Sequence, residues 1–108
     1  MLYRFKSRAT SDLVMLEPSG RRVLEILGKD PDGPGIITAA QLPSAVAALQ
    51  DAVRADEAER ERLAREAQAR DEPVAEPPDR VTLRMRAAPF IDMLQHAMKE
   101  DVDVVWGV

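Results

Sequence analysis

The stretch Asp101-Val-Asp-Val-Val-Trp-Gly-Val108 decides the fold. It is rich in β-branched residues, and Val102, Val104 and Trp106 recur at every second position, as in a strand with one buried face. Its mate lies at the far end of the sequence. In Leu2-Tyr-Arg-Phe-Lys6, Tyr3 and Phe5 alternate with Arg4 and Lys6, so the spacing predicts a second half-buried strand and a sheet in which the two termini pair. On this phase Trp106 packs in the core rather than forming a contact hot spot. Arg4, Lys6 and Arg8 mark a solvent side or protect an edge.

Working inward, Asp12-Leu-Val-Met-Leu16 is an apolar run that fits a buried strand, with one turn of capped helix as the alternative. Glu17-Pro-Ser-Gly20 carries turn chemistry. Val23, Leu24, Ile26 and Leu27 then follow helical spacing, and Gly28 stands where a helix end takes a left-handed residue. Lys29-Asp-Pro-Asp-Gly-Pro-Gly35 reads as a loop. Thr38 and Gln41 form a capping box, Ile37 and Leu42 a hydrophobic staple, and the main helix restarts at Pro43, where a missing N–H is harmless.

Nothing stops that helix before Arg70. Its length, about 42 Å at 1.5 Å per residue, exceeds the roughly 34 Å width of a compact chain of this size, so it is expected to project. Val46, Leu49 and Val53, with Ala45 and Ala52, give its first half a core stripe. Residues 54–70 carry five acids and five arginines with Leu63 as the lone large apolar group, held by Ala propensity and by pairs such as Asp56–Arg60, Glu61–Arg65 and Glu66–Arg70. Residues 71–80, with three prolines and five charges, read as a flexible linker. Beyond it, Thr82 caps a helix with Leu83, Ala87, Phe90, Leu94, Ala97 and Met98 on one face and a kink at Pro89. A strand over 81–87 followed by a helix is the alternative.

The expectation is one α+β domain over 1–108: a minimal sheet of terminal strands against two or three helices, its core drawn from 1–53 and 81–108. The 108 residues are 45% apolar and 31% charged, with a net charge of −4 and a pI near 5.0. No apolar run is long enough for a membrane span and residues 1–8 lack the stretch of a signal peptide, so a cytoplasmic protein is expected. With no Cys and one His, disulfides, thiolate catalysis, Cys-ligated zinc and poly-histidine metal sites are excluded. The acidic balance and four aromatics speak against a specific nucleic-acid partner.

No convergent catalytic constellation emerges, so no enzyme activity and no cofactor are expected. Asp92, His96 and Glu100 form one row at i, i+4, i+8, yet opposite Leu94 and therefore on the solvated side, so no metal site is expected there. Gly28-Lys29 lacks the spacing of a phosphate loop, and Asp30-Pro-Asp-Gly33 that of a calcium loop. Two weaker candidates remain. Arg84 and Arg86 with the Gly/Pro-rich loop 29–35 could bind an anion or small ligand, and the sparse line Leu63, Ala67 and Ala55 could meet a protein partner or a second subunit. A non-enzymatic interaction or regulatory domain is the leading expectation.

Short phrases along the chain carry a resemblance. Leu2-Tyr-Arg-Phe-Lys-Ser7, Val14-Met-Leu-Glu-Pro18, Ile26-Leu-Gly-Lys29, Gly35-Ile-Ile37, Leu42-Pro43, Leu83-Arg-Met-Arg-Ala87 with Pro89, and Val105-Trp-Gly-Val108 together resemble a bacterial family catalogued as domain of unknown function 1840. The resemblance runs end to end except across residues 54–80. It implies one domain with a tolerant middle and brings no activity, cofactor or catalytic residue. Met85 stands where a polar Gln is expected, which weakens a capping box with Thr82.

Overall fold

Alternating burial in the strands settles the architecture. In the computed structural model, which describes residues 2–71 and 82–107, β1 (Leu2–Ser7) buries Tyr3 and Phe5 and exposes Leu2 and Arg4. β2 (Thr10–Leu16) pairs antiparallel with it, Tyr3 opposite Met15 and Phe5 opposite Leu13. On its other side β1 pairs antiparallel with the C-terminal strand, Phe5 opposite Trp106, so the two ends of the chain meet as their alternation predicts. The fold is α+β, a four-stranded antiparallel sheet with three helices.

The sheet is larger than a pair of terminal strands. A three-residue strand, β3 (Gly35–Ile37), continues it beyond β4 (Val104–Trp106), giving the order β2-β1-β4-β3. The sequence reading ends a loop at Gly35 and misses this strand, because three residues are too few to show a period. Gly35 has a physical role there: a Cβ would sit 2.2 Å from Trp106 Cζ2, so only glycine lets the indole lie across this strand. The aromatic centre is continuous, with ring centroids of Phe5 4.5 Å from Phe90 and 5.8 Å from Trp106.

α1 (Glu17–Ile26) begins sooner than expected. Glu17-Pro-Ser-Gly20 forms its first turn rather than a separate turn, since Pro18 lies where no N–H is needed. Gly28, at φ 71°, terminates it, and Lys29 N–H closes back on the Leu24 carbonyl at 2.9 Å.

A 3-10 turn at Ala39–Gln41 leads into α2 (Leu42–Ala69), and Gln41 Oε1 accepts the Thr38 N–H at 3.1 Å in the expected return arm of the cap. α2 is 28 residues long and buries Leu42, Ala45, Val46, Leu49 and Val53 in its first half. Asp56–Arg60 and Glu61–Arg65 pair as expected, whereas Glu66 meets Arg62 at 2.6 Å rather than Arg70.

α3 (Leu83–Glu100) is one helix through Pro89, which removes the strand alternative; Thr82 Oγ1 accepts the Met85 N–H at 3.2 Å. Val81 and the supposed linker from residue 72 lie outside the described residues. The buried face of α3 includes Met93, while Met98, assigned to it by spacing, is exposed. Val102 also departs from expectation. It is no part of β4, for its N–H bonds to the Ala97 carbonyl at 3.0 Å and Asp101 adopts φ 55°, so the residues read as strand onset finish the helix. Buried residues run from Tyr3 to Val53 and from Leu83 to Trp106. α1 and α3 pack on the buried face of the sheet, and α2 packs against α1 and α3.

Candidate functional site

Among the described residues, no helix or loop covers the opposite face of the sheet. Registers place Leu2 beside Leu16, Arg4 beside Val14, and Lys6 beside Val105, which in turn neighbours Ile36. These are the outward members of each alternating strand, and Asp12 joins them on β2. Leu16 is 69% exposed, Leu2 59%, Val14 47% and Ile36 42%. Their inward neighbours Tyr3, Phe5, Met15, Ile37, Val104 and Trp106 are all buried. The apolar run 13–16 carried the signal for this surface, because a strand apolar on both faces has something to offer on each. Arg4 Nη1 and Asp12 Oδ2 stand 3.7 Å apart on this face, a loose pair between exposed groups.

One edge of the open face borders a cleft of about 510 Å³ between β1 and residues 31–34. The loop that walls it is tethered. Tyr3 donates its hydroxyl proton to the Pro31 carbonyl at 2.9 Å, Asp32 N–H bonds to Asp30 Oδ1 at 2.9 Å, and Arg21 donates to Asp32 Oδ1 at 2.6 Å. The hydrogen bond to Asp32 raises the Arg21 pKa. Asp30 and Asp32 thus serve the turn and its anchoring. Trp106 Nε1 is buried and has no hydrogen-bond partner among the described residues.

The structure does not bring the proposed anion-binding residues together. Arg84 donates to both carboxylate oxygens of Glu57, at 2.9 and 2.7 Å, bridging α3 to α2. That hydrogen-bonded pair raises the Arg84 pKa and lowers that of Glu57. Arg86 points instead towards α1, donating to Ser19 Oγ at 2.9 Å. Arg84 lines a groove between α2 and α3 with Gln50, Arg54 and Gln95, separate from the cleft beside loop 31–34.

His96, Asp92 and Glu100 are exposed, and His96 Nδ1 lies 2.8 Å from the Asp92 carbonyl oxygen and 3.7 Å from its carboxylate. Among the described residues no group of three or more His, Cys, Asp or Glu is placed to hold a metal ion. Leu63 is 52% exposed. Ala55, Leu63 and Ala67 spread over roughly 120° of helix circumference, so they form a band rather than one contact line. Among the described residues, no helix is long and apolar enough to cross a membrane.

A family model described as Domain of unknown function (DUF1840) matches residues 1–106. No curated protein and no solved structure matches the chain.

Proposed function

We propose that this chain, which belongs to the DUF1840 family, is a non-enzymatic cytoplasmic protein-interaction domain whose contact surface is the open face of its sheet. The observation that carries this reading is the exposure of Leu2, Val14 and Leu16 as neighbours on β1 and β2, with Ile36 exposed beside Val105 farther along the same face. Single exposed apolar residues are ordinary, but Leu2, Val14 and Leu16 adjoin one another with Arg4 and Asp12 beside them, and an apolar group flanked by charges is how contact surfaces are built. All four aromatics, Tyr3, Phe5, Phe90 and Trp106, are buried. The face therefore offers no aromatic ring on which a nucleic-acid base could stack, and a polypeptide is the better-fitting partner.

Two other surfaces rank lower. An anion at Arg84 and Arg86 must displace Glu57 from a two-point grip, and the loop 29–35 lies in another cleft. Leu63 on α2 offers one large apolar side chain amid ion pairs, with Ala55 and Ala67 too small to anchor a partner.

Photo-crosslinking in living cells tests the reading. A benzophenone side chain at Val14 should trap a polypeptide, whereas one at Glu61 on α2 should trap none. Crosslinks at Glu61 alone move the contact to the helix, and crosslinks at neither position defeat the interaction reading.

A further inference from the structure

We propose that the slot between β1 and residues 31–34 binds the carboxyl terminus of a partner polypeptide, held as a short extended segment in line with β4. The inference rests on the interaction reading above and adds which part of the partner is held, and by what chemistry. Its basis is a place where the sheet stops short. Leu2, Tyr3 and Arg4 pair with β2, but β4 reaches β1 only at Phe5, Lys6 and Ser7, so among the described residues those first three have no strand on their other side. Phe5 and Gly35 both stand opposite Trp106, so the residues before each run on either side of the line that β4 would follow. The chain leaves that line at Gly107, whose φ of 73° is not extended and whose backbone is pressed against Pro34, where a Cβ would sit 2.6 Å from the Pro34 Cα.

What remains is the cleft of about 510 Å³, with Leu2, Tyr3 and Arg4 on one wall, residues 31–34 on the other, and Trp106 and Gly107 at its end. Two strand spacings, roughly 9.5 Å, separate β1 from β3, so the gap beyond β4 is one extended chain wide. A chain lying there meets the main-chain N–H and C=O groups of Leu2–Arg4 that point away from β2, the pairing by which a sheet edge takes up a peptide. The Tyr3 side chain is buried and donates across to the Pro31 carbonyl at 2.9 Å, so it floors the slot and leaves entry from the outer face.

Two features select a carboxyl terminus over an internal segment. The slot is closed at Trp106 and Gly107, so a chain that lies along it ends there. The charges at that closed end are positive, for Arg4 and Lys6 flank Phe5 on the outer face, and Phe5 is opposite Trp106. Lys6 has no ion pair or hydrogen bond among the described residues, and Arg4 is held only loosely by Asp12 at 3.7 Å. Asp32, the acid in the lining, is already engaged by Arg21 at 2.6 Å. A terminal carboxylate therefore meets two available cations, where a terminal ammonium meets repulsion. The segment runs parallel to β1, with its last residue beside Arg4.

An array of peptides with free carboxyl termini, their last three residues varied, tests this with the full chain. The strongest binder is then titrated by fluorescence anisotropy and followed in the amide spectrum of the protein. Amidating that peptide's terminus should weaken binding about tenfold, as loss of a charge-assisted hydrogen bond does. Lys6→Gln and Arg4→Gln should each weaken the free acid similarly while leaving the melting temperature unchanged. The peptide should shift the amides of Asp32, Gly33 and Gly107 and slow hydrogen exchange within Leu2–Arg4, which a purely ionic contact does not do. An array without a binder, or equal binding of acid and amide, overturns the proposal. So do unaltered affinity in both Gln variants and shifts confined to Val14 and Leu16. Any of these results alongside a Val14 position that still traps a polypeptide in cells removes the slot and leaves the interaction reading standing.

Discussion

The two halves of α2 share one backbone and are stabilised by different physics. From Leu42 to Val53 the helix buries five side chains against α1 and α3. From Arg54 onward it buries none, and apart from Glu57, which Arg84 of α3 grips, its charged side chains pair along the helix itself: Arg54 to Asp51, Arg60 to Asp56, Arg62 to Glu59 and Glu66, Arg65 to Glu61. Burial of a large apolar side chain contributes roughly 1.5–3 kcal/mol, whereas an exposed i,i+4 pair contributes about 0.3–0.5 kcal/mol. One helix can therefore be anchored to the fold at one end and nearly independent of it at the other.

The largest expected effect separates the halves by identical chemistry. Leu49→Ala should lower unfolding free energy by about 2–5 kcal/mol in urea titration, because Leu49 is fully buried. Leu63→Ala should change it by less than about 0.5 kcal/mol. Equal losses would merge the halves into one cooperative unit. Ala64→Pro gives a smaller global effect with a clear local one. Amide protection across residues 60–69 should vanish by hydrogen exchange, while the urea midpoint for the whole chain moves little. A collapse of the midpoint would show that the core depends on the projecting half.

How much of this contrast was legible in the sequence follows from what each element leans on. Tyr3, Phe5 and Trp106 announce their pairing because alternation is written over enough positions to be read. The same is true of the thinning of apolar residues after Val53. β3 hides because Gly35–Ile37 owes its strand geometry to β4 and to a close approach by Trp106, both supplied from 70 residues away. Val102 misleads because a β-branched residue can serve a helix terminus as well as a strand. The candidate surface was half visible. Leu13, Val14, Met15 and Leu16 reveal that both faces of β2 are apolar, but only the register shows Ile36 and Val105 completing the outer one. The pairing of Arg84 with Glu57 spans a stretch that sequence spacing cannot bridge.

Two weaker perturbations sharpen the comparison further. Raising NaCl to about 1 M shortens the Debye length to about 3 Å, so helical circular dichroism should fall by an amount confined to the distal half, with the unfolding midpoint preserved. Salt-independent ellipticity would show that Ala propensity alone sustains that half. The smallest effect concerns the bridge between helices. Arg84 holds the Glu57 carboxyl below its ordinary value of 4.5, so the stability it contributes is fully present above that value and is lost as pH falls through the lowered one. The melting-temperature difference between the wild type and Glu57→Gln should be constant at neutral pH and vanish in acid. A difference that instead grows on acidification reverses the sign and removes Arg84 as its cause.

The central place of β4 in the sheet has a consequence for biosynthesis. β1 is made early but has its inner neighbour in residues 104–106, and β3 also waits for that strand. At about 5–20 residues per second, on the order of 5–20 s pass between translation of β1 and arrival of the strand that joins it to β3. Throughout that interval the nascent chain carries a hairpin with an unsatisfied edge and an amphipathic helix without its full complement of contacts. Such a chain is expected to be a client of ribosome-associated chaperones until Trp106 emerges and the sheet can zip from its middle outward.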